Sequence, residues 1–119
     1  MHPRTRKRIK EFSFEKYTKK LDILEPIGYL SLMALLSNCK NVVTDSGGIQ
    51  KESYFSHKRA YLFMPDPAWH ELVEFGVNIL CEPGELKNHI EKEKEVEYVE
   101  NIYGDGSAGE KIAKILIEG

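Results

Sequence analysis

The sequence predicts an α/β fold in which a parallel sheet is flanked by helices. Short runs rich in β-branched and aliphatic residues alternate along the chain with longer segments that carry apolar residues at helical spacing. This alternation is typical of parallel sheets, because the helix between two strands returns the chain to the starting edge of the sheet. No segment is repeated within the sequence. We therefore expect residues 1–119 to form a single α/β domain.

The first third of the chain contains two predicted helices and one predicted strand. Pro3 suits the first turn of a helix, so we predict a helix over residues 3–11. Residues 22–24 are a candidate strand that ends at Glu25-Pro26. Residues 29–36 are apolar on almost every side, which predicts a buried helix.

The rest of the chain continues the alternation. Val42 and Val43 form a predicted strand that leads into a polar loop, and residues 50–56 form the helix that follows. The remaining predictions are a strand at 60–63 stopped by Pro65, a helix at 69–75 ended by Gly76, a strand at 77–80, a helix at 84–92, a charged, solvated stretch at 91–100 and a last helix at 107–118.

The polar loop at residues 44–48 has the features of a phosphate-binding turn. Backbone N–H groups in the first turn of a helix have no intrahelical acceptor, and the helix dipole favours an anion there. Gly47 and Gly48 lack side chains that would block a diphosphate, and Ser46 adds a hydroxyl donor. Glu52, about one turn into the helix, could accept two hydrogen bonds from a ribose diol. Such residues also suit turns and N-caps, so a purely structural loop is the alternative.

Four segments together resemble the non-hydrolysing UDP-N-acetylglucosamine 2-epimerases. Thr44–Glu52, Thr-Asp-Ser-Gly-Gly-Ile-Gln-Lys-Glu, is similar to the nucleotide-binding loop of that family. Residues 2–6 resemble its His-Pro-Arg segment, residues 25–29 its proline–tyrosine helix start, and residues 103–106, Tyr-Gly-Asp-Gly, its C-terminal signature. The four segments occur in the family's order and cover essentially the whole chain.

The resemblance implies a fold and an activity. Family members are two-domain enzymes of the glycosyltransferase-B type, with the active site between two Rossmann-like halves. The chain resembles the latter part of the C-terminal half, so we expect a partial nucleotide-sugar-binding domain. The family draws the carboxylates that move the C2 proton from the N-terminal half. We therefore expect the UDP-binding part of a UDP-N-acetylglucosamine 2-epimerase, and we expect this part to be inactive by itself. Whether the chain contributes to an active isomerase is left open.

The resemblance also implies the residues of the site. In the family, the matching Ser, Gly-Gly and Glu hold the diphosphate and ribose of UDP, which implies that Ser46, Gly47, Gly48 and Glu52 bind UDP. His2 matches a family histidine that contacts the nucleotide or assists catalysis, so it is the candidate catalytic residue. A solvated imidazole near the chain terminus is the alternative. We expect no cofactor and no metal site.

Two departures from the family pattern follow the strand at 60–63. Met64 stands where many members have an arginine, and Pro67-Ala68 stands where they have Thr-Glu. These changes remove a cation and a hydroxyl from the expected site, so we predict weaker binding and looser specificity for N-acetylglucosamine. Trp69 and Glu71 match the family pattern.

Gln50 and Lys51 follow the loop in the predicted helix, and we interpret both as surface residues. The family more often has Glu where Lys51 stands. Lys51 could therefore neutralise charge at the site or simply face water.

The composition indicates a cytoplasmic protein. Hydrophobic residues make up 41% and charged residues 30%, with no apolar run near the roughly 18 residues of a membrane span. The N-terminus has no apolar segment of the kind found in signal peptides. Cys39 and Cys81 are not paired in a Cys-x-x-Cys motif, and we expect both to be reduced core residues. The four histidines lack metal-ligand spacing.

The charge is unevenly distributed along the chain. Residues 1–20 carry eight Lys and Arg against two Glu, whereas residues 21–119 carry nine against seventeen acidic residues. A basic arm on an acidic body raises the possibility of nucleic-acid binding. No recognition module or aromatic interleaving accompanies it, so we interpret the arm as a solvated helix start and expect neither nucleic acid nor membrane as a partner.

The sequence is also compatible with two other functions, and it leaves the mode of assembly open. The chain could be a stand-alone UDP or nucleotide-sugar-binding module, or a non-catalytic structural remnant. In a Rossmann-like half, two central strands would separate the strands at 22–24 and 42–43, and they are not encoded here. Because unpaired strand edges recruit other strands, we expect these two to pair directly, or a homo-oligomer or a missing N-terminal half to cover the edge.

Overall fold

The computed structural model describes residues 1–92 and 98–118. The middle of the charged stretch predicted at 91–100 lies outside the described residues. The chain divides into two compact units, Met1–Cys39 and Lys40–Gly119. None of the described helices is long and apolar enough to cross a membrane.

The first unit contains three helices: α1 (Pro3–Glu11), α2 (Glu15–Thr18) and α3 (Tyr29–Asn38). Helix α1 has the bounds that the proline predicts. His2 is its N-cap residue, and its Nδ1 accepts a hydrogen bond from the Arg4 N–H at 3.2 Å. This bond satisfies one of the free donors of the first helical turn.

Two predictions for this unit are wrong. Residues 22–24 form no strand, although the amino group of Met1 donates a hydrogen bond to the Leu24 carbonyl. Helix α3 is not buried, because Leu36 is its only buried residue and Leu30 is 82% exposed. An apolar pattern on almost every side is typical of a helix that packs against other elements on several faces. Among the described residues, only the face that carries Leu36 is packed in this way.

The second unit is a three-stranded parallel sheet with helices between the strands, as predicted. The strands are β1 (Val42–Thr44), β2 (Ala60–Leu62) and β3 (Asn78–Leu80), in the order β1-β2-β3. The register aligns Val43 with Tyr61 and Tyr61 with Ile79. The helices are α4 (Gly47–Phe55), α5 (His70–Glu74), α6 (Leu86–Glu91) and α7 (Ala108–Glu118).

The core of this unit lies on the central strand and under α4. All three residues of β2 are fully buried. Tyr54, Leu72 and Val77 form a buried apolar cluster against which Trp69 and Tyr103 pack. Gly76 ends α5 with a φ of +69°, a left-handed conformation that glycine adopts without strain.

Tyr54 connects α4 to residues 99–102. Its hydroxyl donates a hydrogen bond to the Val99 carbonyl at 3.0 Å and accepts one from the Ile102 N–H at 3.1 Å. Both bonds join positions more than forty residues apart in the sequence. They hold the 99–102 segment on α4 and so bring Tyr103 to the start of that helix.

Strand β1 lies at an edge of the sheet and pairs with β2 alone among the described strands. Of the alternatives predicted for this edge, direct pairing of residues 22–24 with residues 42–43 is wrong, because the first segment adopts no strand. Helix α7 exposes an apolar face, with Ile115 69% and Leu116 77% exposed.

Removing the Tyr54 hydroxyl should lower the stability of the chain. Tyr54→Phe loses both hydrogen bonds and leaves two backbone groups without their partner, so we expect the free energy of unfolding to fall by about 1–3 kcal/mol. Urea unfolding followed by circular dichroism measures the change. Tyr17→Phe is the matched control, since Tyr17 is 65% exposed and its loss should cost less than about 0.5 kcal/mol.

Candidate functional site

The loop between β1 and α4 is the strand-to-helix turn that the sequence predicts. The strand ends at Thr44, and α4 begins at Gly47 with Ser46 as its N-cap residue. The Gln50 N–H donates to the Ser46 carbonyl at 3.3 Å and makes the first bond of the helical ladder. The N–H groups of residues 47–49 precede that bond and belong to the donors that a helix start cannot satisfy internally.

The loop is open to solvent. Asp45, Ser46 and Gly48 are exposed. The Ser46 N–H is already paired, because it donates to Oγ1 of Thr44 at 3.0 Å. The Ser46 side chain makes no capping hydrogen bond, so its hydroxyl remains available to a ligand.

The two glycines of the loop are required for different reasons. A Cβ on Gly47 would lie 2.9 Å from the Cβ of Ala68, which is closer than two non-bonded carbon atoms approach without strain. A Cβ on Gly48 would meet only Oγ of Ser46, at 4.0 Å. Gly47 therefore makes room for the chain's own 68–69 segment, whereas Gly48 faces open space in which a ligand can sit.

Trp69 connects that segment to the loop. Its Nε1–H donates a hydrogen bond to the Gly47 carbonyl at 2.8 Å. Lys51 Nζ lies 3.5 Å from the centre of the indole ring and 3.8 Å from the centre of the Tyr103 ring. The two rings meet edge to face, with centroids 5.8 Å apart. We call Lys51, Trp69 and Tyr103 the aromatic clamp.

The pKa values of Tyr103 and of its neighbour Glu71 are shifted in opposite directions. Burial raises the pKa of Tyr103, and the nearby Glu71 carboxylate adds to the increase, so the phenol stays neutral. Glu71 has a lowered pKa, because its own backbone N–H and then Tyr103 stabilise the carboxylate, with Lys51 contributing less.

Gln50 and Lys51 do not have the surroundings that the sequence suggests. Gln50 is fully buried, and its Nε2 donates to Sδ of Met64 at 2.9 Å. Its Oε1 is buried without a hydrogen-bond partner among the described residues. Lys51 is half-buried against two aromatic rings and does not simply face water. Surface placement is wrong for Gln50 because α4 packs against β1 and β2.

The predicted site residues fall into two groups. Ser46, Gly47, Gly48 and Glu52 lie on the loop and the first turns of α4, and Glu52 shares a helix face with Gly48 because the two are four residues apart. His2 lies in the first unit, where it is exposed and caps α1. In the described part of the chain, no group of His, Cys, Asp and Glu is arranged to hold a metal ion.

Reasoning from the sequence did not find the aromatic clamp. Trp69 and Tyr103 both stand in segments that resemble the epimerases, and Trp69 is the single tryptophan of the chain. The resemblance drew attention to these two residues, but it did not indicate that their rings contact each other and Lys51. Gly104 and Gly106 follow Tyr103 with φ of +94° and +83°, conformations that favour glycine and that shape the turn after the clamp.

Comparison with known proteins identifies the family. The model of the UDP-N-acetylglucosamine 2-epimerase family matches residues 1–117, and the chain belongs to that family. A UDP-N-acetylglucosamine 2-epimerase of Methanocaldococcus jannaschii is 38% identical over all of this chain and 34% of its own length. A UDP-2,3-diacetamido-2,3-dideoxy-D-glucuronate 2-epimerase of Pseudomonas aeruginosa is 33% identical over 98% of this chain and 33% of its own length.

Solved structures agree with this assignment. The structure of the M. jannaschii UDP-GlcNAc 2-epimerase matches all of this chain and 35% of its own, at 36% identity and a TM-score of 0.87. A second structure of that enzyme, in complex with UDP-GlcNAc and UDP, matches with a TM-score of 0.81. The chain thus spans about a third of its relatives, and the prediction of a Rossmann-like sheet from the C-terminal half of a glycosyltransferase-B-type fold is confirmed.

Adding a methyl group should lower stability at Gly47 but not at Gly48. Gly47→Ala forces its Cβ against Ala68 and should lower the free energy of unfolding by about 1–3 kcal/mol. Gly48→Ala meets no such contact and should leave stability unchanged or raise it by up to about 1 kcal/mol, because alanine favours a helix. Thermal and urea unfolding measure both. The double variant Gly47→Ala/Ala68→Gly should recover part of the loss, and equal stability of the two single variants would contradict this account.

Proposed function

We propose that this chain carries the UDP-binding part of a UDP-N-acetylglucosamine 2-epimerase. The observation behind the proposal is the exposed turn between β1 and α4, with free backbone donors at the start of a nine-residue helix. It occurs in a chain of this family, and a related enzyme has been solved with UDP-GlcNAc and UDP.

The diphosphate of UDP fits the start of α4. The N–H groups of residues 47–49 can donate to its oxygens, the helix dipole favours its charge, and the Ser46 hydroxyl adds a further donor. The open space at Gly48 allows the phosphates to approach the backbone closely. We assign Ser46, Gly47 and Gly48 to the diphosphate on this basis, with Gly47 acting through its backbone.

The ribose fits Glu52. A carboxylate would repel the phosphates, but it can accept hydrogen bonds from both hydroxyls of a diol. Glu52 is half-buried on the helix face of Gly48, one turn further from the anion. Met64 stands where many epimerases have an arginine, and it supplies no positive charge. The backbone N–H groups therefore make most of the contacts to the negative charge of the diphosphate.

Epimerisation itself needs more than this part of the fold. Inversion at C2 through loss and return of UDP requires one group to remove the C2 proton and another to return a proton to the opposite face. The second unit supplies the UDP cradle, and the family places the required carboxylates in the N-terminal half. His2 remains our candidate for a catalytic role. We place the function in the cytoplasm, in keeping with the free thiols of Cys39 and Cys81.

Weak but specific binding of UDP is the central expectation. Calorimetric titration should give a Kd on the order of 0.1–1 mM, or roughly 4–5.5 kcal/mol, because only the nucleotide contacts are present. Ser46→Ala combined with Glu52→Ala should abolish binding. Glu110→Ala is the matched control, since it removes an exposed carboxylate from α7 and should leave the Kd unchanged. Binding of free N-acetylglucosamine without binding of UDP would overturn the proposal.

Assembly is a second part of the proposal. Strand β1 has an unpaired edge within the described sheet, and α3 exposes apolar residues such as Leu30. A second copy of the chain or an N-terminal epimerase half would cover such surfaces.

The assembly can be tested with the chain alone. Size-exclusion chromatography with light scattering should show a species larger than the 13.7 kDa monomer. Leu30→Lys should shift the population toward monomer, because a charge in an apolar interface is costly. A strictly monomeric chain at all concentrations would rule out the second copy, and co-elution with a separately produced N-terminal epimerase half would then identify the other partner.

A further inference from the structure

We infer that Trp69 is a positioning residue of the nucleotide-binding loop, because its indole N–H holds the peptide group whose own N–H faces the diphosphate. The inference rests on the proposed function and adds to it a residue that touches no ligand.

The peptide group between Gly47 and Gly48 is held at its carbonyl. The Gly47 carbonyl accepts the Trp69 Nε1–H at 2.8 Å, and the peptide is trans. In a trans peptide the C=O and N–H point in opposite directions, so fixing the carbonyl also fixes the Gly48 N–H. A hydrogen bond accepted at the carbonyl also polarises the peptide and makes its N–H a stronger donor.

The indole ring is itself held in place by Lys51 and Tyr103. Gly47 and Lys51 are four residues apart and share a face of α4. Trp69 contacts both, because its N–H donates to the Gly47 carbonyl while its ring face lies 3.5 Å from Lys51 Nζ. Tyr103 meets the same ring edge to face and also contacts the ammonium. The ring cannot turn away from Gly47 without losing these contacts.

The backbone beside the indole ring packs closely against its neighbours. Ala68 lies so near Gly47 that a Cβ there would be 2.9 Å from its own Cβ. Trp69 itself packs on the buried cluster of Tyr54, Leu72 and Val77. The backbone that carries the indole is therefore packed against both the helix start and the apolar core.

The expected effect is a change in the affinity for UDP. Trp69→Phe keeps an aromatic ring beside Lys51 and Tyr103 but has no N–H to donate. We expect its Kd for UDP to rise about fivefold to tenfold, which corresponds to the loss of one hydrogen bond near a charged ligand. Tyr17→Phe is the matched control, because it removes the hydroxyl of a 65% exposed ring outside the loop and the aromatic clamp, and it should change the Kd less than about twofold.

A nuclear magnetic resonance titration of the unmodified chain provides a second measurement. The chain has one tryptophan and therefore one indole N–H signal. On addition of UDP, this signal and the Gly48 amide should shift together along one binding curve. A purely structural Trp69 would leave the indole signal in place while the Gly48 amide moves.

The outcomes separate the inference from the function on which it rests. If the unmodified chain does not bind UDP, the proposed function fails, and the inference fails with it. If it binds UDP and Trp69→Phe binds equally well with the same melting temperature, the inference alone is overturned. If Trp69→Phe does not fold, the indole signal of the unmodified chain decides, and its failure to move with Gly48 overturns the inference.

Discussion

The contact between the start of α4 and the 68–69 segment is the constraint on which the site depends. Gly47 has no side chain, so Ala68 can lie against it and Trp69 can reach its carbonyl at 2.8 Å. A larger residue at either position would separate the two segments by the width of a methyl group. The donors at the helix start would then lose the support that fixes their direction.

Helix α4 is fixed at both ends by residues that are distant in sequence. At its beginning, Trp69 and Tyr103 surround Lys51, and near its end Tyr54 binds the backbone of Val99 and Ile102. The same C-terminal segment therefore contacts both ends of the helix. The proposed UDP site needs donors that are aligned before the ligand arrives, and this double attachment favours such alignment without a contribution from the ligand.

The sequence was sufficient to predict the parts that depend on local pattern. Pro3 predicted the start of α1, the paired valines predicted β1, and Ser46 to Gly48 predicted the turn, because each of these signals acts on its own backbone. The prediction was wrong for residues 22–24, since a strand forms only where a partner strand is available. It was also wrong for Gln50, because burial on a helix without a strong apolar stripe is decided by neighbouring elements. The aromatic clamp was not predictable, since it joins three distant segments whose meeting no local pattern encodes.

The two hydrogen bonds of Tyr54 also bear on the order in which the molecule assembles. They link positions 45 and 48 residues apart, so their formation must close a long loop. The turn after β1 can form from local contacts alone, and long-range contacts of this kind form more slowly. During synthesis, the turn is made about fifty residues before residues 99–103, which support it. The shape of the turn between β1 and α4 is therefore encoded early in the chain, but the contacts that support it form only after residues 99–103 have been made.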